Sequence, residues 1–220
     1  MTRARLGAAV VLIAPVLVLA GVLYHPYLSG FFDAEELAAA VEDDTTRWGL
    51  AHLAVAVGYG LLAVAFVAIR SYLRKAGDER WSGLALAFAV LGCTMFAVQA
   101  GMEFGPFAAA ESGGDVQEAQ EELVPWVIPT VAIGAIAFLL GVLGFAKGIA
   151  DTRILGPGTT KLVVVGLLAM AAVRFVPLGE TLYIHGVAML VALWPLGYTM
   201  WSRPQPGHVP AGEPRPAQAS

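Results

Sequence analysis

Residues 48–69 read WGLAHLAVAVGYGLLAVAFVAI, an apolar run between Arg47 and Arg70 in which His52 is the only side chain that titrates near neutral pH. A helix of this length covers about 33 Å at 1.5 Å per residue, enough to cross a hydrocarbon core of about 30 Å. The run lacks the period-two alternation of a barrel strand. In lipid the backbone must satisfy its own N–H and C=O groups, so a transmembrane helix is the regular structure that fits.

Working outward, five further runs have the same character: roughly Leu6–Leu28, Trp81–Met102, Pro125–Ala146, Lys161–Leu178 and Thr181–Trp201. Pro177-Leu178-Gly179 ends the fifth abruptly and turns the chain into the sixth, which predicts a tight hairpin. The expected class is therefore all-α: a polytopic integral membrane protein with a six-transmembrane-helix bundle over residues 1–201. Composition agrees. Of 220 residues 58% are hydrophobic and 14% charged, where soluble domains carry roughly a quarter charged residues. Little chain is left for a soluble domain. A single Cys excludes a disulfide framework, and 13 basic residues at a net charge of -4 provide no nucleic-acid footprint. The lipid bilayer is the expected environment, in a cell (inner) membrane.

Basic residues set the expected orientation, because they are retained on the cytoplasmic side. With the N-terminus inside, eleven of them fall inside and only Arg47 and Arg174 outside. Both termini are then cytoplasmic. The acidic residues fall mostly outside, in loops where Asp33 and Asp115 each stand ready to cap a short helix; Glu36 occupies the capping-box position after Asp33. Arg3 and Arg5 before an apolar stretch, with Val18-Leu19-Ala20 ahead of Gly21, also fit a cleaved signal peptide. A run that continues to Leu28 favours a retained span. Residues 202–220 hold five of the 13 prolines and His208, and read as a disordered cytoplasmic tail.

Ionisable groups at membrane depth are default functional candidates. His25, His52 and His185 each lie about 5 Å inside the outer edge by residue count, and Glu103 ends the third span with Gln99 one turn below it. Three imidazoles and a carboxylate at one depth are a plausible shell for a copper or zinc ion, with His25, His52, Glu103 and His185 as ligands. His52 and His185 on different helices also suit axial ligation of haem b. Shared depth has an ordinary explanation too, since amphipathic side chains at the edge reach water. Arg174 breaks the positive-inside pattern. It is expected to pair with Glu180 or Glu103, or to bind an anionic head group, a quinone oxygen or a haem propionate with its guanidinium fork.

The fourth span carries small residues at helical spacing, Gly134, Ala137, Gly141 and Gly144, marking it as central or as a homo- or hetero-oligomer contact. No phosphate-binding loop, nucleophile elbow or paired-histidine zinc motif occurs, so enzymatic activity stays open, a zinc hydrolase with Glu103 as base included. Three function classes remain: a metal or haem binding module, a small proton- or cation-coupled transporter, and a structural membrane subunit.

Overall fold

A computed structural model describes residues 3–30, 33–176 and 178–203. The elements in order are α1 (Arg3–Tyr24), α2 (Ala34–Asp43), α3 (Thr45–Lys75), α4 (Trp81–Met102), α5 (Phe104–Ser112), α6 (Val116–Thr152), α7 (Pro157–Ala172), a 3-10 turn (Val173–Phe175) and α8 (Glu180–Ser202). Six helices are long and apolar enough to cross a membrane: α1, α3, α4 with α5, α6, α7 with its 3-10 turn, and α8. Their outward faces are apolar, with Leu84, Val165 and Tyr198 all more than half exposed, as a lipid environment demands and water would not tolerate over so large an area. Residues 204–220 of the tail, His208 among them, lie outside the described residues, as does Pro177 of the α7–α8 turn, while Ser202 still belongs to α8.

The two ends of the bundle differ in charge. At one, here the acidic end, three aspartates start helices. Asp33, Asp44 and Asp115 accept the backbone N–H groups of Glu36 (3.1 Å), Arg47 (2.8 Å) and Glu118 (2.9 Å), which satisfies donors that a helix start leaves open. Asp33 and Asp115 do what their positions suggest. The Asp44 cap starts α3 three residues before Trp48. Glu36 does not close a capping box; its carboxylate accepts from the N–H (2.7 Å) and Oγ (2.8 Å) of Ser29. Those two hydrogen bonds hold the exposed Glu36 carboxyl below its usual range.

The acidic-end helices depart from the expected pattern in two places. The helix capped by Asp115 does not stop before the fourth span; α6 runs unbroken for 37 residues through Pro125 and Pro129. Its first turns are held by burial of Val116 and Gln120. α5, which the apolar pattern does not separate from a loop, follows α4 directly and is closed by Gly113 in the left-handed region at φ 75°, a conformation glycine adopts without a Cβ penalty. At this same acidic end α7 stops at Ala172, six residues before the anticipated Leu178.

The core lies where α4 meets α6. A Cβ added to Gly141 would stand 2.5 Å from Ala89 N, and one on Gly92 would stand 2.7 Å from the Phe138 backbone. Backbones this close need small residues at the crossing. The small-residue stripe of α6 is thus covered by α4 of the same chain, which makes α6 a central helix of the bundle. Beside the seam, Phe66, Phe96, Phe138 and Phe145 pack in tilted and edge-to-face contacts, with Phe66–Phe145 centroids 4.9 Å and Phe96–Phe138 centroids 5.6 Å apart. Cys93 is buried among them. α1 is part of the same core: Ala8, Val11, Ala14 and Val18 are fully buried, and Trp194 of α8 donates to the Leu12 carbonyl at 3.1 Å.

The basic end is tied by one aspartate. Asp78 accepts the N–H groups of Trp81 and Ser82, both at 2.8 Å, and starts α4, while Arg70 donates to the carbonyls of Asp78 (3.0 Å) and Glu79 (3.2 Å). Gly148 of α6 leaves the space its carboxylate fills. Burial pushes the Asp78 carboxyl up, but these hydrogen bonds and the Arg70 charge outweigh it and hold it below the ordinary 3.8.

Candidate binding cavity at the acidic end

A cavity of about 350 Å³ opens among α1, α3, α4, α6, the 3-10 turn and α8. His25, His52, Gln99, Glu103, Arg174 and His185 all line it. The six polar residues singled out from the sequence therefore share one space, although they come from five different segments.

They occupy two levels. In the upper one, His25 follows the end of α1 and packs on α3: its ring centroid is 4.8 Å from His52 and 4.8 Å from Trp48, and His52 is 4.5 Å from Trp48. His25 Nδ1 contacts the Pro26 carbonyl at 2.6 Å and His52 Nδ1 the Trp48 carbonyl at 3.0 Å. A carbonyl only accepts, so each Nδ1 carries the proton and each Nε2 keeps its lone pair. Arg47 donates to the carbonyls of Tyr24 (2.6 Å) and His25 (3.4 Å), satisfying acceptors at the end of α1. That contact accounts for one of the two basic residues at the acidic end. Glu103 accepts from Gln120 of α6 at 3.0 Å.

His185 belongs to a deeper level. Its Nδ1 contacts the Met170 carbonyl at 2.6 Å and its Nε2 the Tyr59 hydroxyl at 2.8 Å; Tyr59 stands seven residues, about 10 Å, along α3 from His52. By the same reasoning Nδ1 donates to Met170 and Nε2 accepts from Tyr59. Both ring nitrogens of His185 are thereby committed. The expected shell of His25, His52, Glu103 and His185 is not assembled: among the described residues, no three His, Cys, Asp or Glu side chains are gathered as metal ligands would be. For the same reason His185 has no lone pair to offer haem b opposite His52 unless it gives up Tyr59.

Arg174 sits beside this level. It donates to Gln99 Oε1 at 3.1 Å, its guanidinium lies 4.2 Å from the Phe96 ring centroid, and its Nε has no hydrogen-bond partner. The expected ion pairs with Glu180 and Glu103 do not form. Glu180 instead accepts from Tyr27 at 2.5 Å, because the chain leaving α1 crosses the α7–α8 turn, where Gly30 bridges Leu178 and Gly179 donates to the Ser29 carbonyl at 3.4 Å. Lys147 and Asp151 do form an ion pair, at the far end.

Tyr59 and Phe96 were not singled out from the sequence. The signal for Tyr59 was present: a tyrosine in mid-span carries a hydroxyl that lipid cannot satisfy, so it needs a partner on another helix. Phe96 has no such mark among so many apolar residues. No protein-family model, curated protein or solved structure matches this chain.

Proposed function

We propose that the chain is a multi-pass membrane protein whose acidic-end cavity binds a small molecule bearing an anionic oxygen group, a carboxylate or a phosphate, with Arg174 as its anchor. One observation carries this reading: a half-buried guanidinium lines an otherwise mainly apolar cavity and has no carboxylate partner among the described residues. A charge removed from water is costly unless paired. A planar anion compensates it best through the guanidinium fork, with Gln99 positioning the group from below. The positive-inside bias assigns the acidic end to the extracytoplasmic face of a cell membrane.

Titration of decanoate and of uncharged decanol into the protein in lipid nanodiscs, read by calorimetry, tests the anchor. A charge-assisted hydrogen bond of about 1.5–3 kcal/mol corresponds to about tenfold or more in affinity. Wild-type protein is expected to prefer decanoate by that factor, and Arg174→Gln to erase the preference. Equal affinities in the wild type, or an unchanged preference in the variant, would overturn the reading.

A second reading, a bound metal, is favoured by the His25–His52 pair alone, whose Nε2 lone pairs are both uncommitted to the backbone. Copper or zinc there would need further ligands from outside this pair. Metal analysis and an absorbance spectrum of the purified protein, with His52→Ala as control, decide it: stoichiometric metal lost in the variant supports the site, and no metal in the wild type removes it.

A further inference from the structure

The cavity is closed on some sides and open on one. Its roof toward the acidic end is sealed, with Leu28, Leu37 and Trp48 only 5%, 7% and 1% exposed. Its floor is the packed level of Tyr59, Phe96 and His185. The flank between α6 and the segment 173–176 is different. Ile128, Phe175 and Val176 line the cavity and yet are 49%, 49% and 43% exposed, and Ala132 beside them is exposed as well. A residue that walls a cavity while half its surface faces outward stands at an opening. All four are apolar, the character that an opening toward hydrocarbon needs and one toward water does not.

The opening follows from where α7 ends. A helix continued past Ala172 would carry side chains up the flank of α6, but the chain tightens into the 3-10 turn and crosses toward α8. Arg174 is brought to the cavity by that same turn, within three residues of the opening at Val176.

We infer that the ligand is a long-chain anionic amphiphile taken from the bilayer, with its head group on Arg174 and its hydrocarbon chain passing between Ile128 and Val176 into the surrounding lipid. This rests on the anion-binding reading above and adds the chain and its path. A cavity of about 350 Å³ holds a head group and the first part of a chain; the apolar flank lets the remainder stay in hydrocarbon, where it loses no solvation.

Affinities of hexanoate and hexadecanoate for the protein in nanodiscs test this, in the wild type and in Ile128→Trp with Val176→Trp, which narrows the opening. The wild type is expected to bind both. In the double variant hexadecanoate should weaken by about tenfold or more while hexanoate stays within about twofold, a difference of roughly 1.4 kcal/mol. Equal loss of both, or loss of neither, overturns the path between these residues. A wild type that binds hexanoate and rejects hexadecanoate overturns the chain while sparing the anion site; one that binds neither overturns the anion reading itself. Should the tryptophan variant fail to fold, Ile128→Ser with Val176→Ser makes the path polar and is expected to weaken hexadecanoate alone.

Discussion

The α4–α6 seam and the acidic-end cavity are built partly from the same helix and come out opposite. Along the seam α6 presents Gly134, Ala137, Gly141 and Gly144, and α4 closes on them until no further atom fits. Near its acidic end α6 presents Val127, Ile128 and Val131 to the cavity, and the facing element is a short turn instead of a helix. Small residues facing a neighbour give close packing, whereas larger residues facing the end of a short helix give space. The polar groups of the bundle interior collect at that space, because there a hydrogen bond or a ligand can satisfy them.

The largest effect that would break this contrast is expected at the seam. Gly141→Val places a Cβ 2.5 Å from Ala89 N and is predicted to cost about 3 kcal/mol or more, since neither backbone can retreat. Val131→Leu on the cavity wall should stay within about 1 kcal/mol, the extra methylene entering free volume. Thermal melting of the two purified variants measures both; similar losses would mean that the cavity is as tightly filled as the seam.

An intermediate effect is expected at the cavity floor. Tyr59→Phe removes the donor to His185 Nε2 and leaves a buried acceptor unpaired, a cost of about 1–3 kcal/mol. If melting is unchanged, water replaces the hydroxyl and the floor is wet. That outcome would sharpen the boundary between the cavity and the packed core.

The smallest effect belongs to the basic end. Asp78→Asn keeps only one of the two acceptor oxygens used by the Trp81 and Ser82 N–H groups and weakens the start of α4 by about 1 kcal/mol. Because the folded protein holds this carboxyl below its ordinary 3.8, Asp78 contributes stability that is complete above that value and is lost as pH falls through the lowered folded-state value. Melting temperature should therefore decline less between about pH 5 and pH 3 in the variant than in the wild type. Parallel pH slopes would show that folding leaves the Asp78 carboxyl's affinity for a proton unchanged.

Much of this architecture was legible in residue order. Six apolar runs of spanning length, Asp33 and Asp115 as caps, and the small-residue face of the fourth span are local patterns, and local backbone chemistry realises each of them. The boundaries were less legible. Nothing in Pro125 or Pro129 announces a continuous α6, because Pro-containing helices persist when neighbours hold the adjoining turns, as α2 and α5 do here through Val116 and Gln120. Likewise Phe104–Ser112 has no distinct periodicity to separate it from a loop, and only its packing beneath α2 and α6 makes it a helix.

For the site, counting residues from the span ends brought out His25, His52, Glu103, Gln99, Arg174 and His185, and depth along a helix is something a sequence can encode. Partner choice is not. His185 faces Tyr59 and Met170, Arg174 faces Gln99 and Phe96, and Glu180 faces Tyr27, each across a separation that helix rotation and tilt alone decide. The sequence by itself determined that this chain forms six membrane-length helices with its in-span histidines, Glu103 and Arg174 near one end. Only the tertiary structure decided that those groups surround a cavity with one unpaired guanidinium and an apolar opening, because where α7 stops relative to α6 is set by packing between helices and not by the residues of either one.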